Sequence, residues 1–268
     1  MPVSLLPRKT IWQSFVEQAR VITALLLREA SLRLGPFRFG HFLIIMEVLW
    51  GTTFLGFIWL YLGRPAPYGD SVIFYMFTGM FPFTLYRTLH TRVSAALDAN
   101  KALLSYPVVR PVDTLIARAI LESMFQLAAL IIFYPTFIWM GAANFPAHPV
   151  EMFAALGATF LLGFGLGATG MILRSMFKSW AIIDGMIART LFFISGIFFP
   201  IEYLPQEIRD VLYWNPLVHA IEWFRYSIYY GYDTQTLNKT YLLAFALICT
   251  IFGLVMERIR RPLLLQIN

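Results

Sequence analysis

Long apolar runs separated by short polar clusters set the pattern of this chain. The first run extends from His41 to Leu62, is broken only by Glu47, and stops at Gly63, Arg64 and Pro65. The second starts at Ser71, reaches Tyr86 and continues as helix past Arg87, with Pro82 predicting a kink because proline removes a backbone donor and crowds the preceding turn. The third, Leu115 to Met140, carries Arg118 and Glu122 near its start, four residues apart and so spaced for a local ion pair. The fourth, Phe153 to Leu173, holds no charge over 21 residues. The fifth, about Ala181 to Phe199, contains Asp184 and Arg189, and the last, Tyr241 to Met256, closes at Glu257 and the arginines 258, 260 and 261. A helix needs ~20 mainly apolar residues to cross ~30 Å of hydrocarbon at ~1.5 Å per residue. The pattern therefore predicts an all-α membrane protein with six transmembrane helices.

Two further segments are neither spans nor plain connections. Over residues 11–30, Trp12, Phe15, Val16, Ala19, Ile22, Leu26 and Ala30 recur at helical spacing, the signature of an amphipathic helix lying along the membrane interface. Residues 200–238, between spans five and six, are too long and too aromatic for a simple loop. Pro205 and Pro216 divide them into two short helical stretches, about 206–214 and 217–231, and a re-entrant helical segment fits this pattern. No compositional break separates a soluble domain, so residues 1–268 read as one membrane domain.

Composition supports lipid as the solvent: 59% of residues are hydrophobic and only 13% charged, about half the charge usual in soluble proteins. The net charge of +6 lies in clusters between apolar runs, not in one basic patch, which argues against a nucleic-acid partner. Six Lys or Arg precede the first span, five lie between spans two and three, three between four and five, and three follow the sixth. That leaves four of the 21 for the other side, so both ends are expected in the cytoplasm. Arginines 8 and 20, Lys9 and Glu17 interrupt any cleavable leader, and the single thiol, Cys249, forms no internal disulfide.

Candidate chemistry is sparse. No G-x-x-x-x-G-K-[ST] loop occurs, so ATP is not bound in the P-loop manner. The glycine-rich stretch 163–170 lies inside the fourth span, where small residues serve close helix packing. The four histidines have no paired zinc spacing, and no G-x-S-x-G elbow is present. No catalytic, cofactor or metal site is therefore assigned. The ionisable groups within the spans need partners, because charge in hydrocarbon is costly.

The block Asn215-Pro-Leu-Val-His-Ala-Ile-Glu-Trp-Phe-Arg225, with Ser195-Gly-Ile-Phe-Phe-Pro200, Leu204-Pro205 and Tyr106-Pro-Val-Val-Arg-Pro111, resembles ABC-2 type polysaccharide exporter permeases. It is most similar to the capsular polysaccharide branch of Gram-negative bacteria. The resemblance implies a non-enzymatic half-transporter of the inner membrane: two copies forming a channel, two separate ATP-binding cassette subunits holding ATP and Mg, and periplasmic and outer-membrane export proteins. The cargo it implies is an acidic, lipid-linked polysaccharide; O-antigen or teichoic-acid-type polymers are the nearest alternative, and a membrane-embedded glycan or acyl transferase the alternative from another class.

It further implies a cytoplasmic amphipathic segment at 1–39 and a helix near 100–107 docking on the ATPase through Lys101, Leu104, Ser105 and Tyr106. Aromatic faces pack against sugar C–H faces, which nominates Trp50, Trp59, Phe74, Tyr75, Phe77 and Tyr86 as channel lining. Arg33, Arg38, Arg87, His90 and Arg92 are candidates for a cytoplasmic mouth that attracts an acidic polymer. Residues 200–238 become a periplasmic gate held by Asn215, His219, Glu222 and Arg225, with Glu222 and Arg225 spaced to pair on one helical face.

Overall fold

The computed structural model describes residues 11–34, 40–104, 109–177, 179–232 and 234–264. Among them the secondary structure is helical. Helix α1 spans Ile11–Leu34, α2 Gly40–Tyr61, α3 Val72–Ser94, α4 Ala96–Ala99, α5 Lys101–Leu104, α6 Pro111–Trp139, α7 Pro149–Met176, α8 Trp180–Ile194, α9 Gln206–Leu212, α10 Pro216–Ile228 and α11 Lys239–Leu264. A short 3-10 turn covers Ile201–Tyr203. Helices α2, α3, α6, α7, α8 and α11 thus occupy the six apolar runs. Three of them, α6, α7 and α11, are long and apolar enough to cross a membrane by length and composition.

Local sequence explains where the helices start. Ser71 caps α3 by accepting the Phe74 N–H at 3.3 Å. Asp113 accepts the Arg110 N–H at 3.0 Å, and Pro111 opens α6, where its missing donor costs nothing. Pro149 and Pro216 open α7 and α10 in the same way. At two helix ends the difference from the expected run has a local cause. Helix α8 ends at Ile194, five residues early, because Gly196 turns the chain at φ +75°, a backbone region that suits glycine. Helix α11 runs on past Met256, because Glu257 and Arg261 pair one turn apart and carry the charged stretch as helix.

Helix α7 is the central post, packed against α3, α10 and α11. Its glycines let backbones approach. A methyl group at Gly163 would lie 2.9 Å from Leu89 Cβ and 3.1 Å from the Tyr86 carbonyl oxygen, and one at Gly167 would lie 2.8 Å from Val93 Cβ. On the other flank, Gly165 is seated against the α11 backbone at Thr250, and Gly253 against Ala168. The glycine-rich stretch is therefore a packing stripe facing two helices. At one end of α3 an aromatic cluster fills the core, with Phe77 and Phe137 centroids 5.2 Å apart and Phe81 and Phe224 5.7 Å apart. Helix α8 buries no residue at all.

Candidate functional site

Polar and charged side chains gather at two ends of the bundle. At one end lies the segment 195–241, built around a single arginine. Arg225 on α10 is completely buried. Its Nη1 donates to the Gly196 carbonyl at 2.7 Å and its Nη2 to the Ile197 carbonyl at 2.6 Å, so the guanidinium ties α10 to the turn after α8. The Tyr75 ring lies 4.2 Å beneath it, and a Glu222 carboxylate oxygen 3.7 Å away. The other Glu222 oxygen accepts from the Tyr232 hydroxyl at 2.7 Å. Burying two charges is tolerable only with this degree of pairing and hydrogen bonding. Helix α3 must carry glycine where it passes: a methyl group at Gly79 would lie 2.7 Å from Arg225 Nη2 and 2.8 Å from the Ile197 oxygen.

The neighbouring residues lock the same segment. Asn215 caps α10 by accepting the Leu217 N–H at 3.0 Å, while its amide donates to Ser195 Oγ at 3.1 Å and to the Ile194 carbonyl at 3.3 Å. The two ring nitrogens of His219 meet the Tyr213 carbonyl at 2.7 Å and the Asn238 N–H at 3.2 Å. The first contact needs a protonated Nε2 and the second an unprotonated Nδ1, which assigns the neutral Nε2–H tautomer. Asn238 then accepts the Tyr241 N–H, starting α11. Several ties leave the segment: the Ala147 and His148 N–H groups donate to the Ile228 and Ser227 carbonyls at 3.2 and 2.9 Å, the Trp223 indole donates to Glu151 on α7 at 2.6 Å, and Lys239 pairs with the same carboxylate at 2.8 Å while sitting over the Tyr226 ring. Sequence reasoning missed Glu151, Trp223 and Lys239, since three residues in three segments share no spacing.

At the other end, α1 is stitched to the bundle. Glu29 pairs with Arg118 of α6, and Gln18 donates to Asp113 at 3.0 Å. Arg28 reaches Asn100 at 3.4 Å. Arg118 also donates to the Arg92 carbonyl at 3.2 Å, and Arg92 lies 3.6 Å from Glu122. The expectation that Arg118 and Glu122 answer each other locally is thus incomplete, because α1 and α3 each bring a partner to them. Between the two ends, His90 on α3 meets Asp184 on α8 at 2.7 Å. Helix α1 turns Glu29 and Gln18 inward and leaves Trp12, Phe15 and Leu27 exposed, the orientation of a helix lying at an apolar boundary.

The other sequence candidates fall as follows. Phe74, Tyr75, Phe77 and Tyr86 are buried in the chain's own core, so their rings are used in packing; Trp50 is exposed, and Trp59 is half-buried beneath Arg64. Lys101 is exposed and Leu104 buried. Arg38, Ser105 and Tyr106 lie outside the described residues, as does the Arg33 side chain. No cluster of three metal-ligating side chains occurs among the described residues.

Comparison with known proteins agrees with this architecture. The family model described as ABC-2 type transporter matches residues 20–229. The chain is 30% identical over 252 residues to the polysialic acid transport protein KpsM of Escherichia coli, covering 94% of this chain and 97% of that one. It is 30% identical over 255 residues to the capsule polysaccharide export inner-membrane protein CtrC of Neisseria meningitidis serogroup B, with 94% and 95% covered. The corresponding protein BexB of Haemophilus influenzae is 30% identical over 252 residues, again with 94% and 95% covered.

Proposed function

The chain belongs to the ABC-2 type transporter family, and from that premise we propose that it is the membrane subunit of a capsular-polysaccharide exporter, driven by ATP hydrolysed on a separate subunit. The observation that carries this reading is the end-to-end similarity to capsule-export membrane proteins, which covers nearly the whole of both partners. The sequence has no P-loop, so the energy source lies on another chain.

In this reading α2, α3, α6, α7, α8 and α11 cross the bacterial inner membrane, and the Lys and Arg bias puts both ends in the cytoplasm. The end bearing α1 then faces the ATPase, with α5 and its exposed Lys101 at the contact. The segment around Arg225 is the periplasmic gate, re-entrant and held by Asn215, His219, Glu222 and Arg225. Two copies enclose the polymer path. With the α3 aromatics used in the core, Trp50 and Trp59 remain as lining candidates from the first two spans.

Deleting the gene in its host tests the reading directly. Surface polysaccharide is expected to disappear and polymer to accumulate inside, and an ATPase subunit is expected to co-purify with the tagged chain. Unchanged surface polymer in the deletion strain overturns the proposal.

A further inference from the structure

Two exposed arginines stand level with the middle of the long uncharged run of α7. The uncharged run of α7, residues 153–173, has Gly163 at its midpoint, and Gly163 is pressed against Tyr86 and Leu89 of α3. Arg87 lies between those two contacts and is exposed. Helix α8 is registered to α3 by two contacts, Asp184 to His90 at 2.7 Å and Phe192 to Phe83 at 5.4 Å between ring centroids. Interpolating between them brings Arg189 level with Tyr86, so it shares the depth of Arg87. It too is exposed. Neither arginine has an ion-pair or hydrogen-bond partner among the described residues.

An arginine keeps its charge everywhere in a protein, and a long side chain escapes to the interface only from near a helix end. Water begins ~15 Å from the middle of a bilayer, so neither residue is accommodated by lipid at mid-depth. The two also border one seam. On α3, Phe83, Arg87 and His90 follow the i, i+4, i+7 spacing of a single face, and that face meets α8 through Phe83 and His90. Arg189 lies one turn beyond Met186 on the flank of α8, which buries no residue within the chain.

We propose that Arg87 and Arg189 form a cationic waist halfway across the membrane, a binding subsite for carboxylate or phosphate groups of an acidic polysaccharide passing along the α3–α8 seam. This rests on the export reading and moves Arg87 from the cytoplasmic mouth into the path itself. The waist selects for anionic polymers. The charges act as a low, repeated attraction along the chain of the polymer.

The test uses the full-length chain in its host's membranes, as inside-out vesicles, with Cys249→Ser removing the native thiol. In a Met186→Cys variant, an anionic thiosulfonate reagent is expected to react about tenfold faster than a cationic one, since a local cationic field concentrates anions. Arg87→Gln or Arg189→Gln should bring that ratio close to one, and Arg87→Lys or Arg189→Lys should preserve it. Leu127→Cys, exposed on α6 beside Phe81 and Leu85, should stay unreactive as the lipid-side control. A trigalacturonate should slow the anionic reagent and maltotriose should not. The proposal is overturned if Met186→Cys reacts no faster than Leu127→Cys, if the anion preference ignores both arginines, or if phosphatidylglycerol vesicles alone abolish it, which would assign the site to a lipid headgroup. No outcome depends on export, so a failure here is separable from unchanged surface polymer in the deletion strain.

Discussion

The two polar ends of the molecule are built on opposite plans. Around Arg225 most of the bonds join residues close in sequence, 29 positions to Gly196, 28 to Ile197, 20 from Asn215 to Ser195 and 10 from Tyr232 to Glu222, with Glu151 of α7 the distant partner at 72 from Trp223. At the α1 end they join distant segments, 89 positions from Glu29 to Arg118 and 95 from Gln18 to Asp113. A locally closed network forms and breaks as one unit, whereas pairs between separate helices break one at a time as those helices shift. The end around Arg225 is therefore a cap held mainly within one segment, and the end carrying α1 is a seam between separate helices.

Removing the centre of the cap should have the largest effect. Arg225→Met leaves Glu222 buried beside unanswered carbonyls and should cost about 3–5 kcal/mol, read as a lowered unfolding midpoint in detergent. Adding Glu222→Leu should recover part of that loss, because the orphaned charge goes too. The contrast between the ends fails if Arg225→Met costs no more than the next variant. Arg118→Ala removes the anchor of Glu29, with an expected cost of about 1–3 kcal/mol confined to α1, read as faster proteolysis within residues 11–34 while the rest of the chain stays protected. Protease sensitivity spread over the whole chain would make the seam as cooperative as the cap. The smallest effect belongs to Trp223→Phe, which keeps the ring and loses only the donor to Glu151. It should cost about 1 kcal/mol, and in a double-mutant cycle with Lys239→Met it should show coupling, because both act on one carboxylate.

Much of this frame was legible in the sequence, and the reasons are periodic. A 21-residue uncharged run and the glycines within it announce α7 and its close packing, since both signals are local. The Asn215-to-Arg225 block also kept its meaning, because spacings of three and four residues survive as neighbours on a helix. What sequence hid is pairing across segments. Arg118 and Glu122 suit each other by spacing, yet Glu29 and Arg92 reach them from other helices. The aromatic run of α3 was ambiguous for a related reason: Phe74, Tyr75 and Phe77 look alike as core or as lining in sequence, and the structure buries them within the chain. The end of α8 was misplaced because Phe198 and Phe199 prolong the apolar run beyond the glycine that turns the backbone.

Helix α8 is fastened to the bundle at Asp184 near one end and through the carbonyls of Gly196 and Ile197 just past the other, with Phe192 the ring that rests on α3 between them. Mechanically it is a beam pinned at its supports, with one rest at Phe192 and no residue buried along its length. Such a beam deflects most at midspan, around Met186 to Thr190, for a given push. On the export reading, a bulky branch on the polymer would bow that stretch outward with neither support released, and the stretch would spring back behind it.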